Sequence, residues 1–274
     1  MLVAGFLFGC MGVFVKLGAH CFSNIELVFY RSLIGLVIMY VILRQRGGSM
    51  ATPHWKSHLW RGVSGSIALL LFFYCITVLP LATAVTLNYT SPLFLTMLVM
   101  LVYKERFHLP LTIAIAMGFA GMVLLLHPTL EHNQIIPGLM GLVSGVFAGI
   151  AMLNVRELGR KGEPEWRIVF YFSLIATVIS AVIMAFGIIH VPMLHDIPIL
   201  LALGGTATFA QLALTRAYST GKTLVASSLS NSAVVFATLF GILLWGEVLS
   251  INSWIGMALI VASGVASLKL APRY

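Results

Sequence analysis

The strongest candidate for ligand chemistry in this sequence is an arginine inside an apolar stretch. Arg31 lies within the segment 25–43, about 9–12 Å along a helix that rises 1.5 Å per residue. A charge at that depth in a membrane is costly unless it faces protein or water. Because a guanidinium holds a carboxylate or phosphate through paired hydrogen bonds, Arg31 predicts a bound anionic group. The alternative is that its side chain extends to the nearer headgroups.

Two further apolar segments contain runs of polar residues. Residues 88–92 read NYTSP, and residues 227–232 read SSLSNS. Pro92 has no N–H and disfavours a helical bond to the carbonyl of Asn88, which predicts a helix kink. An interrupted helix with polar side chains suits a cavity wall, and hydrogen bonding between helices is the alternative. The substrate-binding candidates in these runs are Asn88, Tyr89, Ser91, Ser230 and Asn231.

The remaining candidates are single residues that could stack on a substrate or form a hydrogen bond with it. Interfacial anchoring and helix packing are the alternatives for each of them. They are Lys16, Tyr30, Tyr74, Asn154, Tyr171 and Gln211.

The positions of the acidic residues limit the mechanism. All eight Asp and Glu residues, and all eight histidines, fall at the ends of apolar segments or between them. No carboxylate is therefore predicted at mid-membrane to exchange a proton for a cationic substrate, which favours an anionic or zwitterionic cargo. The three cysteines are scattered and predict neither a disulfide framework nor a metal site. We expect no metal and no cofactor.

The elements that position these residues are membrane-spanning helices. The 274-residue chain is 60% hydrophobic and 9% charged, with a mean hydropathy of +1.03, whereas soluble domains are about 25% charged. This composition excludes a soluble enzyme, a secreted disulfide-rich module and a disordered chain. A bilayer core about 30 Å thick needs about 20 apolar residues per helix. Ten segments qualify: 2–18, 25–43, 59–78, 81–102, 109–126, 137–155, 167–189, 197–217, 222–244 and 251–270.

The basic residues predict the orientation of the chain. Fourteen of the 16 lie after the even-numbered segments or at the C-terminus; the exceptions are Lys16 and Arg31. By the positive-inside rule, both termini are cytoplasmic. The net charge of +8 then orients the chain against anionic lipid and does not indicate nucleic acid. We expect a multi-pass protein of a plasma membrane, in bacteria the inner membrane.

An internal repeat divides the chain. Residues 28–34 read VFYRSLI and residues 169–175 read VFYFSLI, and the single mismatch places Phe172 opposite Arg31. We predict an all-α integral membrane protein with ten transmembrane helices in two five-helix repeats, 1–130 and 131–274. Because five is odd, the second repeat is inverted in the membrane. Inverted repeats are typical of secondary transporters that bind substrate near the midplane.

The motifs in both halves resemble the EamA-type repeat of the drug/metabolite transporter superfamily. The first copy carries Pro80-Leu81-Ala82, Ser91-Pro92 and the closing Lys104-Glu105-Arg106, and the second carries Gly246-Glu247 and Gly256. Val234 stands where Pro92 would repeat, a departure from the pattern. The resemblance implies a ten-helix carrier with a central cavity lined by helices 1–4 and 6–9, and peripheral helices 5 and 10.

The predicted function is secondary transport of a small polar metabolite, an amino acid or a related zwitterionic or anionic compound, by alternating access. An exporter of cationic or aromatic drugs or metabolites is the first alternative; a channel or an intramembrane enzyme is another. The enzyme is disfavoured because the GVSG sequence at 62–65 has no histidine within a span to activate its serine. The expected partners are a small-molecule substrate, the bilayer, and a coupling proton or exchanged substrate. A monomer is expected, with a homodimer as the alternative.

Overall fold

The computed structural model describes residues 1–45, 47–79, 81–103, 109–126, 134–187, 190, 192–246 and 250–270. Within these ranges the regular structure is helical, with no strand. The helices are α1 (Leu2–Gly18), α2 (Asn24–Gln45), α3 (Trp55–Val78), α4 (Leu81–Asn88), α5 (Ser91–Tyr103), α6 (Leu109–Leu126), α7 (Ile135–Arg160), α8 (Glu165–Met184), α9 (Ile197–Thr220), α10 (Thr223–Ser230), α11 (Ser232–Trp245) and α12 (Ile251–Leu270).

Helix boundaries follow the apolar segments closely at some ends and extend beyond them at others. The bounds of α1, α6 and α12 match the predicted segments 2–18, 109–126 and 251–270. Helix α3 begins at Trp55, four residues before the predicted segment, and α7 continues to Arg160. These helices are longer than the predicted segments because helical hydrogen bonding continues into the polar residues that flank an apolar run. Helix α8 ends at Met184, earlier than the predicted 189.

The two polar runs interrupt their helices at equivalent places. Helices α4 and α10 both have eight residues, and their first residues are 142 positions apart. In the first half the interruption falls at Tyr89 and Thr90, and Pro92 is the second residue of α5. Proline is well tolerated in the first turn of a helix. In the second half Asn231 separates α10 from α11 without a proline. The interruption therefore does not depend on proline alone.

The outer surface of the described helices is apolar. Seven helical stretches in the described residues are long and apolar enough to cross a membrane, and Leu2–Gly18 is a shorter apolar helix. Large apolar side chains such as Val37, Leu101, Leu139 and Val178 are exposed on this surface. An extensive exposed apolar surface indicates contact with lipid rather than water. The protein is a multi-pass membrane protein.

Helices of the first part of the chain pack mainly on helices of the second. The closest pairs are α3 with α7, α6 with α12, α2 with α8, and α1 with α9. In the α6–α12 pair, a Cβ on Gly121 would lie 2.7 Å from the carbonyl oxygen of Gly256, so small residues permit this close approach. The predicted repeat boundary at 130/131 and the Lys104-Glu105-Arg106 and Glu247 motif residues lie outside the described residues.

Glycines bring α1 and α7 against the two interruptions. A Cβ on Gly5 would lie 3.0 Å from the backbone nitrogen of Ala233, next to the α10–α11 interruption. A Cβ on Gly145 would lie 2.9 Å from the carbonyl oxygen of Leu87, next to the α4–α5 interruption. These two glycines are 140 residues apart in the chain. The interruptions are therefore held by similar close packing in both halves.

Candidate functional site

Arg31 lines a small cleft between α2, α8 and α9. Only 9% of the residue is exposed. The cleft has space for about one water molecule. Its lining residues are Arg31, Ser32, Phe172, Ser173, Ala207, Thr208 and Gln211. Among the described residues, none forms an ion pair or a side-chain hydrogen bond with the Arg31 guanidinium. The side chain therefore does not extend to exposed headgroups but ends inside the protein.

Arg61 is a second buried arginine, which the sequence analysis grouped with the cytoplasmic basic residues. It lies in α3 and is 2% exposed. Its guanidinium carbon is 4.3 Å from the centre of the Phe172 ring, and Phe172 also lines the Arg31 cleft. Gly65 leaves space for this side chain, because a Cβ at position 65 would displace Nη1 of Arg61. A glycine one helical turn after Arg61 is the feature of the sequence that could have indicated the burial of Arg61.

Several polar atoms around this cleft lack partners. Nε and Nη1 of Arg61 are buried without a hydrogen-bond acceptor among the described residues, as is the amide Nε2 of Gln211. All three atoms are donors. A buried donor without an acceptor costs about 1–3 kcal/mol, and more when it is charged. These donors are therefore available to a ligand that brings oxygen atoms, and no acidic residue is among the described residues that line the cleft.

Helix α7 forms a separate polar contact with α3 and α4. The Asn88 side-chain amide donates to the Ser144 hydroxyl at 2.7 Å, and Ser144 donates to the Ala68 carbonyl at 2.9 Å. Ten residues after Ser144 in α7, the Asn154 amide donates to the Ser64 hydroxyl at 3.4 Å. Asn88 and Asn154 therefore hold helices together in this conformation. The hydroxyl of Ser64 donates to its own helix at the Trp60 carbonyl, so it is not presented as a nucleophile.

The two helix interruptions touch each other away from Arg31. The Ser227 hydroxyl donates to the Pro92 carbonyl at 3.3 Å, which joins α10 to α5. Ser230 donates to the Ser227 carbonyl at 2.7 Å. Tyr89 packs against a core cluster of α6, α11 and α12 residues. Asn231 is buried, and its Oδ1 has no partner among the described residues. The interruptions thus form a second polar region beside α6 and α12.

At one end of the molecule, the start of α2 binds the connection between α8 and α9. We call this set the α2 tether: Glu26 and Tyr30 with Ser23 and His190. The Glu26 carboxylate accepts the His190 backbone N–H at 2.5 Å and the Ser23 N–H at 2.7 Å. The Tyr30 hydroxyl donates to the His190 carbonyl at 3.4 Å. Tyr30 therefore ties a helix to a connection.

The start of α8 binds the connection between α2 and α3 in a corresponding way. We call this set the α8 tether: Glu163, Arg167 and Tyr171 with the partners that they contact in residues 49–58. Tyr171 donates to the Met50 carbonyl at 2.9 Å, and Arg167 donates to the Ser49 carbonyl at 2.9 Å. The Tyr171 ring also stacks 4.6 Å from the His58 ring. Tyr30 and Tyr171 are 141 positions apart and make equivalent contacts.

Glu163 is the centre of the α8 tether. It accepts hydrogen bonds from the Thr52 hydroxyl and from Arg167 Nη1, the latter at 2.8 Å. The His58 Nε2 atom lies 3.3 Å from its carboxylate. Burial raises the pKa of the Glu163 carboxyl, but the hydrogen bonds from Thr52 and Arg167 and the Arg167 charge outweigh burial, so its pKa lies below the usual value. Glu163 is therefore ionised at neutral pH.

The structure brings together only part of the predicted site. Arg31 and Gln211 share one cleft, while Asn88, Tyr89, Ser91, Ser230 and Asn231 belong to α4, α5, α10 and their interruptions. Tyr74 and Lys16 are exposed. A larger cavity of about 430 Å³ lies where α9 meets α10, and none of the predicted site residues lines it.

Sequence comparison matches the EamA-like transporter family over residues 1–127 and 136–268. An uncharacterized transporter of Helicobacter pylori (strain J99) is 30% identical over 97% of this chain and 92% of its own length. A pseudopaline exporter of Pseudomonas aeruginosa (strain UCBPP-PA14) is 30% identical over 97% of this chain and 93% of its own. A solved structure described only as the crystal structure of a protein has the same fold. Its TM-score is 0.86 at 22% identity, over 98% of this chain and 95% of that one.

Proposed function

The chain belongs to the EamA-like transporter family, and we propose that its substrate is a small polar metabolite with an anionic group, carried by alternating access. Membership makes the protein a membrane transporter and not an enzyme. The observation that carries the substrate proposal is the Arg31 guanidinium, buried without an acidic partner among the described residues. A bound anion would supply the missing counter-charge.

Amino acids and related zwitterions are the substrate class that we favour. Their carboxylate would pair with Arg31, and the hydroxyl oxygens of Ser32, Ser173 and Thr208 line the same cleft as acceptors for an ammonium group. The alternative cargo, a cationic or aromatic drug or metabolite, would call for a carboxylate in the cleft. The buried acidic residues of the described chain are Glu26, Glu163 and Asp196, and each accepts hydrogen bonds at a helix end.

The proposed architecture has ten spans in two inverted repeats, 1–130 and 131–274, with both termini in the cytoplasm. The count treats α4 with α5, and α10 with α11, as single interrupted helices. The helix packing supports the repeat. When each helix is replaced by its counterpart in the other half, the most extensive contacts between the halves are reproduced. The α1–α9 contact corresponds to α3–α7, and α1–α11 corresponds to α5–α7, while α2–α8 and α6–α12 correspond to themselves. The excess of basic residues after even-numbered segments supports the orientation.

The two tethers are the proposed gates. Each joins a helix of one half to a connection that borders the other half's equivalent helix, and both are formed in this structure. Release of the α2 tether alone would open the Arg31 cleft to one side of the membrane, and release of the α8 tether alone would open it to the other. The predicted site residues at the α4–α5 and α10–α11 interruptions would line the path when α2 separates from α8 and α9.

Ligand-induced thermal stabilisation and transport test this proposal together. The purified protein would be screened against amino acids, nucleosides, organic anions, vitamins and organic cations, because a ligand at a hundredfold excess over its Kd stabilises the folded state by about 2.7 kcal/mol. Uptake of the radiolabelled hits into proteoliposomes would follow. Arg31→Gln is expected to reduce uptake about tenfold or more. The control is Arg216→Gln, since that side chain is 78% exposed in a long ion pair.

The outcomes separate the alternatives. Loss of uptake in Arg31→Gln with normal uptake in Arg216→Gln supports an anion site at Arg31. Equal uptake by Arg31→Gln and the parent protein removes Arg31 from substrate binding. Stabilisation by organic cations alone favours the alternative cargo and contradicts the proposal.

A further inference from the structure

The ring of Phe172 lies under the guanidinium of buried Arg61 and lines the same cleft as buried Arg31, and we propose that Arg31 and Arg61 together bind a dianion. The inference rests on the proposed function and narrows its substrate class from polar metabolites with an anionic group to those that carry two negative charges. Arg61 stacks on Phe172, and Phe172 shares the cleft with Arg31. The chemistry that fits is a dicarboxylate or a phosphate monoester, with one guanidinium for each part of the charge.

The first argument is electrostatic. Arg61 is almost fully buried, and two of its three guanidinium nitrogens have no acceptor among the described residues. Stacking a cation on an aromatic ring offsets only a part of the free energy needed to remove the ion from water. The Phe172 ring therefore does not compensate the Arg61 charge. Arg31, with no ion pair of its own among the described residues, adds a second positive charge to the cleft that Phe172 lines.

The second argument is the number of buried donors that lack an acceptor. The unpartnered atoms are Nε and Nη1 of Arg61 and Nε2 of Gln211, and Gln211 shares the cleft with Arg31. Donors without acceptors predict a ligand that brings oxygen atoms. A single carboxylate would neutralise one arginine and leave the other unpaired. A dianion would neutralise both and supply acceptors to the Gln211 amide.

The third argument is the asymmetry of the repeat. In the second half, Phe172 occupies the position that corresponds to Arg31. The repeated position therefore supplies only one arginine, Arg31, and the second arginine of the site, Arg61, comes from α3. The ring presents an apolar face to the carbon chain of a dicarboxylate. Gly65 leaves room for the Arg61 guanidinium. The cleft is closed in this conformation, so a ligand would enter as α2 moves away from α8 and α9.

Binding measurements on the purified full-length chain test the dianion site. The probes are glutarate and inorganic phosphate as dianions, and butyrate as a monocarboxylate of similar size. We expect glutarate or phosphate to bind the parent protein about tenfold more tightly than butyrate. Arg61→Gln is expected to bring the affinity for the dianion to that for butyrate and to change butyrate binding little. Arg31→Gln is expected to weaken both. The exposed Arg216→Gln is the matched control.

Two further variants distinguish a loss of binding from a folding defect. Arg61→Met keeps most of the side-chain length and removes an uncompensated buried charge, so its ligand-free melting temperature is expected to equal or exceed that of the parent protein. Gly65→Ala keeps both arginines and displaces the Arg61 guanidinium, so it is expected to weaken only dianion binding. A large loss of melting temperature in Arg61→Met would show a structural role for the charge and contradict the proposal.

The result also distinguishes this inference from the proposed function. If Arg61→Gln keeps the preference for dianions, the two-arginine site is wrong, and the proposed function stands as long as Arg31→Gln loses butyrate binding. If Arg31→Gln binds every anion as the parent does, both fail. Tighter binding of phosphate than of glutarate assigns the dianion to the phosphate class, and the reverse assigns it to the dicarboxylates.

Discussion

The α2 and α8 tethers use equivalent positions but different chemistry. Tyr30 and Tyr171 are 141 positions apart, and so are Glu26 and Arg167. Each tyrosine donates to a carbonyl of the connection that faces it. Glu26 accepts a backbone N–H of its connection, whereas Arg167 donates to a backbone carbonyl. Similar helix geometry therefore accommodates opposite charges, because a backbone offers both a donor and an acceptor at each residue.

The tethers also differ in how much buried charge they contain. In the α8 tether, Glu163 and Arg167 form an ion pair at 2.8 Å, and buried His58 lies beside the same carboxylate. In the α2 tether, the partner of Glu26 is the His190 residue, whose side chain is 55% exposed. An interaction between charges is stronger where water is excluded. We infer that the α8 end is held more firmly than the α2 end.

Removal of the central carboxylate of each tether, Glu163 or Glu26, should give the largest difference in stability between the two tethers. Glu163→Ala leaves Arg167 without its carboxylate partner and is expected to lower the free energy of unfolding by about 3 kcal/mol. Glu26→Ala leaves the backbone N–H groups of Ser23 and His190 without their acceptor, and a loss of about 1–2 kcal/mol is expected. Thermal or denaturant unfolding in detergent would measure both.

The matched control is Glu157→Ala. Glu157 also pairs with a basic residue four positions away, Lys161, but both side chains are substantially exposed, so a change below about 1 kcal/mol is expected. If Glu26→Ala destabilises the protein as much as Glu163→Ala does, the inferred difference between the tethers is wrong.

Acid should weaken the α8 tether through Glu163. The pKa of this carboxyl is lowered from its ordinary value of 4.5, so it binds fewer protons in the folded state than in the unfolded state near that pH. Its contribution to stability is therefore complete above pH 4.5 and is lost as the pH falls through the lowered pKa. The melting temperature of the parent protein is expected to fall more steeply with acid than that of Glu163→Gln. Parallel pH profiles would contradict this assignment.

The smallest expected difference concerns the two tyrosine hydroxyls. Tyr171→Phe removes a 2.9 Å hydrogen bond and is expected to cost about 1 kcal/mol. Tyr30→Phe removes a 3.4 Å hydrogen bond, which is near the limit of useful geometry, and should cost less. Both variants keep the ring and its packing, so each serves as the other's control. A larger loss in Tyr30→Phe would reverse the proposed order of the two ends.

The helices were predictable from the sequence because they depend on local composition. Each span is a run of apolar residues of bilayer length, so the bounds of α1, α6 and α12 are evident from the chain alone. The resemblance to the EamA-type transporters was also evident from motifs in the sequence, and the family match confirms it. Arg31 could be identified as a candidate because a charge within an apolar run is visible in the sequence without knowledge of which helices pack around it.

The membership of the site depended on which helices face each other. Arg61 looked like a cytoplasmic basic residue, yet packing of α3 on α8 buries it against Phe172. Tyr30 and Tyr171 were predicted as ligand contacts with interfacial anchoring as the alternative, and in this structure both donate to carbonyls of distant connections. The sequence determined the helices and the position of Arg31 within an apolar run, because both follow from residues near one another in the chain. Only the tertiary structure decided burial and partners, because those follow from contacts between segments that are far apart in the chain.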